Sequence, residues 1–136
     1  MLTKFLARLL GLWIVLVIVG LVLTRQASVA TINALFSDAP LMWVTGIFTM
    51  LVGLVIVLLH NRWSGGGLPV VVTLYGWIAL LKGISLVWLP APVQGIAWQS
   101  LRFDRFFFVY VFVALVIGGY LVYGGFARRP PRRRAA

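Results

Sequence analysis

The sequence predicts an all-α fold: an integral membrane four-helix bundle with both termini in the cytoplasm. Three observations predict it. Four apolar runs are each about 20 residues long, enough to cross roughly 30 Å of hydrocarbon. Charged residues make up 10% of a chain that is 62% hydrophobic, against about 25% charged residues in a soluble domain. The positive charges also gather on one side of the predicted spans, which fixes their direction.

The spans fall at about residues 5–24, 41–60, 68–89 and 106–126. They are too long and too continuous for barrel strands, which alternate apolar and polar residues over about ten positions. The first span carries a second reading. Lys4 and Arg8 form a basic start, and Ser28-Val29-Ala30 has the small-x-small outline of a cleavage site. The long apolar core, and Arg25 between that core and the site, favour a retained span.

With the N-terminus inside, the inner segments hold eight positive residues: Lys4, Arg8, Arg62 and the five arginines of the tail. The outer loops hold three, Arg25, Arg102 and Arg105. That asymmetry places both termini of a multi-pass chain in the cytoplasm.

The two outer loops each contain a helical pattern. Val29, Ile32, Leu35 and Phe36 share one face, as do Val93, Ile96, Ala97 and Leu101 after Pro90 and Pro92. Both predict short interfacial helices lying apolar face down, with an ordinary linker as the other reading. Asp38 and Asp104 precede the second and fourth spans, where a carboxylate complements free amides and the helix dipole. Gly65-Gly66-Gly67 and Pro69 predict a tight inner turn followed by a helix start. Residues 1–127 thus form one four-span domain, and 128–136 a basic, disordered tail broken by Pro130 and Pro131.

The net charge is +10. Its placement suits anionic headgroups on the cytoplasmic side, through Arg128, Arg129, Arg132, Arg133 and Arg134, rather than nucleic acid. The chain has no cysteine, one histidine and two acids. It therefore has no disulfide framework and too few ligands for an all-protein metal site, and no cofactor is expected. The triple glycine lacks the Lys-Ser/Thr of a phosphate loop, and no serine elbow or carboxylate pair is present.

Lys82 is the sharpest feature. It lies inside the third span, roughly 10 Å below the outer boundary by helical rise. An ammonium at that depth is costly and often marks a functional site. In the alternative reading its stem snorkels outward and the charge meets headgroups or a carboxylate. Tyr75 and Ser85 lie along the same face and argue for a position inside the bundle. Asp38 and Asp104 are the candidate counter-ions, both on the outer side.

His60 begins an His-Asn-Arg-Trp cluster at the inner end of the second span. It reads either as a proton acceptor or as part of a headgroup anchor. Trp43 and Trp88 near the outer interface, with Trp63 and Tyr123 near the inner one, form an aromatic belt. Trp77 lies at mid-span, where its indole N–H needs an acceptor, so it belongs inside the bundle. Ala114 with Gly118, Ala79 with Gly83, Gly46 with Gly53 and Gly76 with Gly83 make small-residue contact faces for helices of this chain or another.

His60-Asn61, Trp63, Thr73, Gly76-Trp77, Lys82-Gly83 and Pro90 together resemble a motif set of a family of small, uncharacterised bacterial multi-span membrane proteins. The resemblance covers the second and third spans. It implies a bacterial multi-span protein, singles out His60, Trp77 and Lys82, and carries no activity with it.

The first functional expectation is a structural or accessory membrane protein, not an enzyme, that packs with itself or with another membrane complex. The alternative is a small oligomeric transporter or channel using Lys82 for an anion or proton. The surroundings of the Lys82 ammonium discriminate the two: polar residues from several helices converging on it in a water-filled cavity favour transport, a dry bundle with Lys82 paired at the edge the accessory role.

Overall fold

The computed structural model describes residues 1–127 and is all-helical. Six helices follow in order: α1 (Leu2–Leu23), α2 (Arg25–Ser37), α3 (Ala39–Leu59), α4 (Gly67–Trp88), α5 (Ala91–Ser100) and α6 (Phe103–Phe126). Four of them, α1, α3, α4 and α6, are long and apolar enough to cross a membrane. The tail arginines Arg128, Arg129, Arg132, Arg133 and Arg134 lie outside the described residues.

Each long helix stops for a local reason. Asp38 opens α3: its Oδ1 accepts from the Leu41 amide at 3.0 Å, with Pro40 in the first turn. Gly65 and Gly66 hold φ values of 98° and 112°, a left-handed region open to glycine, and lead into α4. Leu89 turns extended before Pro90, as the residue ahead of a proline must. The helical geometry of α6 is interrupted at Phe106, which is where the sequence places the start of the fourth span.

The bundle is built from two tight antiparallel pairs, α3 with α4 and α1 with α6, and a thinner seam joins α4 to α1 and α6. Residues at matching distances from the Gly65–Gly67 turn face each other. In the first pair, Cβ positions built on Gly53 and Gly83 would meet the backbones of Leu80 and Met50. Gly46 abuts Leu86 and Val87, and Gly76 abuts Ile56. In the second pair, Gly11 lies against Val122, Gly118 against Ile14 and Gly125 against Arg8. Without Cβ atoms the backbones approach closely and gain dispersion contacts, the term that drives helix association where lipid is as apolar as the interface. All the small-residue faces whose contacts are resolved are therefore filled from within this chain.

A core of Leu6, Ala7, Leu10, Ile14 and Ile18 from α1, Phe107, Val111 and Leu121 from α6, and Ile56 and Val72 from the other pair closes the seam. At the end that holds Met1 and Ala127, Lys4 Nζ donates to the Ala127 carbonyl at 3.0 Å and Arg8 Nε to the Gly125 carbonyl at 2.8 Å. The Arg8 guanidinium also stacks over Phe126, 4.6 Å from the ring centre. These cations complement the negative end of the α6 dipole and satisfy carbonyls that a helix end leaves free.

The loops at the opposite end are helical. Val29, Ile32, Leu35 and Phe36 form the half-buried face of α2. α5 leaves its apolar face uncovered by the rest of the chain, as an interfacial helix does. It buries Gln94, whose Nε2 donates to the Ser85 carbonyl at 2.6 Å, and half-buries Trp98, while Val93, Ile96, Ala97 and Leu101 stay exposed. A buried amide on a helix-end carbonyl is the stronger anchor, and it turns the apolar face outward.

Candidate functional site

Lys82 stands on the outward face of α4. Its neighbours Ile78 and Leu81 are exposed with it, while Gly83 and Leu86 beside them are buried. Tyr75 and Ser85 are half-buried but do not draw Lys82 inward; Ser85 Oγ donates instead to the Lys82 carbonyl at 2.8 Å. The expected position inside the bundle is corrected on this point. The helix turns its glycine stripe to α3, and the long lysine follows the opposite side.

The expected ion pair is corrected too. Among the described residues neither acid lies within 4.0 Å of the Lys82 ammonium. Asp38 is engaged as the N-cap of α3. Asp104 sits in the first turn of α6 without a side-chain capping bond and lines cavities at the α2–α5 end.

The cluster around His60 is a hairpin closure. Thr73 of α4 is fully buried, and its Oγ1 accepts from the Arg62 amide at 3.0 Å. The same hydroxyl lies 3.1 Å from both the His60 and the Arg62 carbonyls and donates its single proton between them. Asn61 Oδ1 accepts from Trp63 Nε1 at 2.7 Å. His60, immediately beyond the last turn of α3, is 2% exposed. Burial holds its imidazole below the ordinary histidine value, Arg62 nearby acts in the same direction, and the Pro69 carbonyl opposes them. Its Nε2 and the Trp77 indole Nε1 are buried without a partner among the described residues. Trp77 is half-buried as its N–H requires, but the acceptor expected for it is not supplied by a neighbouring side chain.

Five of the motif residues make contacts that hold this helical hairpin together. Asn61 and Trp63 brace the turn, Thr73 ties it to α4, and Gly76 and Gly83 admit α3. Trp43, Trp63, Trp88 and Tyr123 are exposed, as a belt requires.

The polar convergence in this molecule lies elsewhere, at the α2–α5 end. Trp98 of α5 stacks on Phe36 of α2 with centroids 4.9 Å apart, and its Nε1 donates to Asn33 Oδ1 at 2.8 Å. Phe103 continues the stack from Trp98 to Tyr110, whose hydroxyl donates to the Leu101 carbonyl. The Arg25 guanidinium lies 5.1 and 4.9 Å from the ring centres of Phe107 and Phe108. Two open cavities flank this stack. One, of about 790 Å³, is walled by α2, α5 and the start of α6, with Arg102 and Arg105 in its lining. The other, of about 1020 Å³, lies between the end of α1 and α2. Asn33 and Asp104 border both. Asn33, Trp98 and Arg102 carry no sequence signal for this role, because Asn33 and Trp98 are 65 positions apart and meet only once the spans are paired.

Among the described residues no group of three or more metal-ligating side chains forms. Comparison with protein-family models, with curated proteins and with solved structures finds no match to this chain.

Proposed function

We propose that this chain is a structural or accessory membrane protein, without enzymatic activity, that packs with itself or with another membrane complex. In this reading it is a multi-pass protein of a bacterial inner membrane, with both termini and the Asn61–Gly66 turn in the cytoplasm. The charge asymmetry across the spans supports the orientation.

The observation that carries the functional reading is the position of Lys82. It is on an exposed helix face, away from both cavities, while the α3–α4 pair behind it is closed by glycine contacts. A conducting path at Lys82 would need walls that one copy does not provide. An exposed ammonium amid apolar side chains suits a helix face that meets a partner or snorkels to the headgroups. The transporter alternative survives only as a path enclosed between copies.

Reconstitution tests both. Purified protein in vesicles is expected to give proton and chloride fluxes equal to those of empty vesicles, and energy transfer between labelled copies that persists on dilution with lipid. Flux above background that disappears in Lys82→Met would overturn the accessory reading. Reporter fusions at each end and within 62–67 and 93–100 test the orientation; an outer signal from either terminus would refute it.

A further inference from the structure

We propose that the cavity between α2, α5 and the start of α6 binds the phosphate-bearing headgroup of an anionic phospholipid. Its volume, about 790 Å³, is in the range of sites that hold small molecules. Its charged lining is Arg102, Arg105 and Asp104, and Asn33, Ser37 and Gln99 add hydrogen-bonding groups.

The charge at this end is unbalanced. Arg25, Arg102 and Arg105 face two acids, and Asp38 is already engaged with the Leu41 amide. Arg25 is held over Phe107 and Phe108. Arg102 and Arg105 remain for a ligand, and a guanidinium fork matches phosphate oxygens two at a time. Arg102 has φ 45°, the sole positive value of a non-glycine residue among the described residues. That conformation joins α5 to α6 and sets two arginines on one cavity wall.

The surroundings select a lipid over a free anion. Val93 and Ile96 on α5, Leu101 just after it, and Phe106 and Phe108 on α6 are exposed apolar side chains at the same end. The arginines therefore meet a headgroup while acyl chains follow this apolar surface into the bilayer. Resting on the orientation proposed above, three positive charges here oppose correct insertion, and a bound anionic headgroup supplies the counter-charge.

The test uses the full chain in nanodiscs of phosphatidylcholine mixed with phosphatidylglycerol. Lipid retained after a detergent wash is counted by native mass spectrometry. The parent is expected to keep phosphatidylglycerol in preference. Arg102→Gln with Arg105→Gln should lower that retention roughly tenfold for each charge-assisted pair lost. Asp104→Asn should raise it, and in a chain lacking 128–136, which removes the tail's own headgroup contacts, the double variant should lower the remaining retention by the same factor. Equal retention by the double variant, in the full chain or without the tail, would overturn the assignment. Displacement by millimolar inorganic phosphate would show a free-anion site and overturn the lipid. Circular dichroism checks that each variant folds; if the double variant does not, failure of Asp104→Asn to increase retention is decisive against the proposal.

Discussion

Replacing Gly53 with alanine should loosen the whole molecule, because that glycine is where α3 and α4 come closest. A Cβ at this position would meet the Leu80 backbone nitrogen, lie 2.6 Å from the Leu80 Cα and 2.8 Å from the Ala79 carbonyl carbon. Carbon atoms rest at about 3.5–4.0 Å, so the two helices must part locally by about 1 Å. Overpacking typically costs about 1–3 kcal/mol, and here the obstacle is backbone, which cannot rotate away, so about 3 applies. Alanine in place of glycine returns about 1 kcal/mol of helix propensity. The net loss is about 2 kcal/mol, a roughly 30-fold fall in the ratio of folded to unfolded protein. Gly119→Ala is the matched control, since a Cβ there meets nothing within 4 Å. It should be neutral or gain up to about 1 kcal/mol. Unfolding in mixed micelles by titration with sodium dodecyl sulfate, followed by circular dichroism, reads both. Equal stability of Gly53→Ala and the parent, or equal damage from the two substitutions, would refute the close-approach argument.

Three further outcomes are expected. Thr73→Val keeps shape but leaves the Arg62 amide and a carbonyl of the turn without their partner, so it should cost about 1–3 kcal/mol; unchanged exchange of the Arg62 amide with deuterium would contradict this. His60 is the one histidine, and its folded imidazole is held below the ordinary histidine value of 6.5. Its contribution is thus complete above pH 6.5 and is lost as pH falls through the lower folded value, where the unfolded chain binds the extra proton. The thermal midpoint should drop between pH 7.5 and pH 5 in the parent and drop less in His60→Gln, and identical profiles would count against the burial argument. Lys82→Met should insert normally and change stability by no more than about 0.5 kcal/mol, as at other exposed sites; a large loss in the same micelle titration would mean the ammonium has a partner in the folded chain.

The number of spans, their type and their approximate ends were legible in the sequence, because lipid demands about 20 apolar residues with every backbone group bonded internally. The same is true of Asp38 as a cap and the glycine turn, which depend on neighbours within four positions. Lys82 was legible as an anomaly but not in its direction. Helical spacing grouped it with Tyr75 and Ser85, yet which side of α4 meets α3 is decided by where two backbones approach most closely, at Gly53 and Gly83. The sequence exposed those glycine faces without saying what covers them; pairing α3 with α4 and α1 with α6 answered from within the chain. The aromatic stack and the arginine cavity were beyond reading for the same reason. Phe36, Trp98 and Phe103 belong to separate segments. Only the folding of four spans into two antiparallel pairs brings α2 and α5 to one end, because contacts of long sequence separation are set by the packing of the helices between them and not by any local pattern.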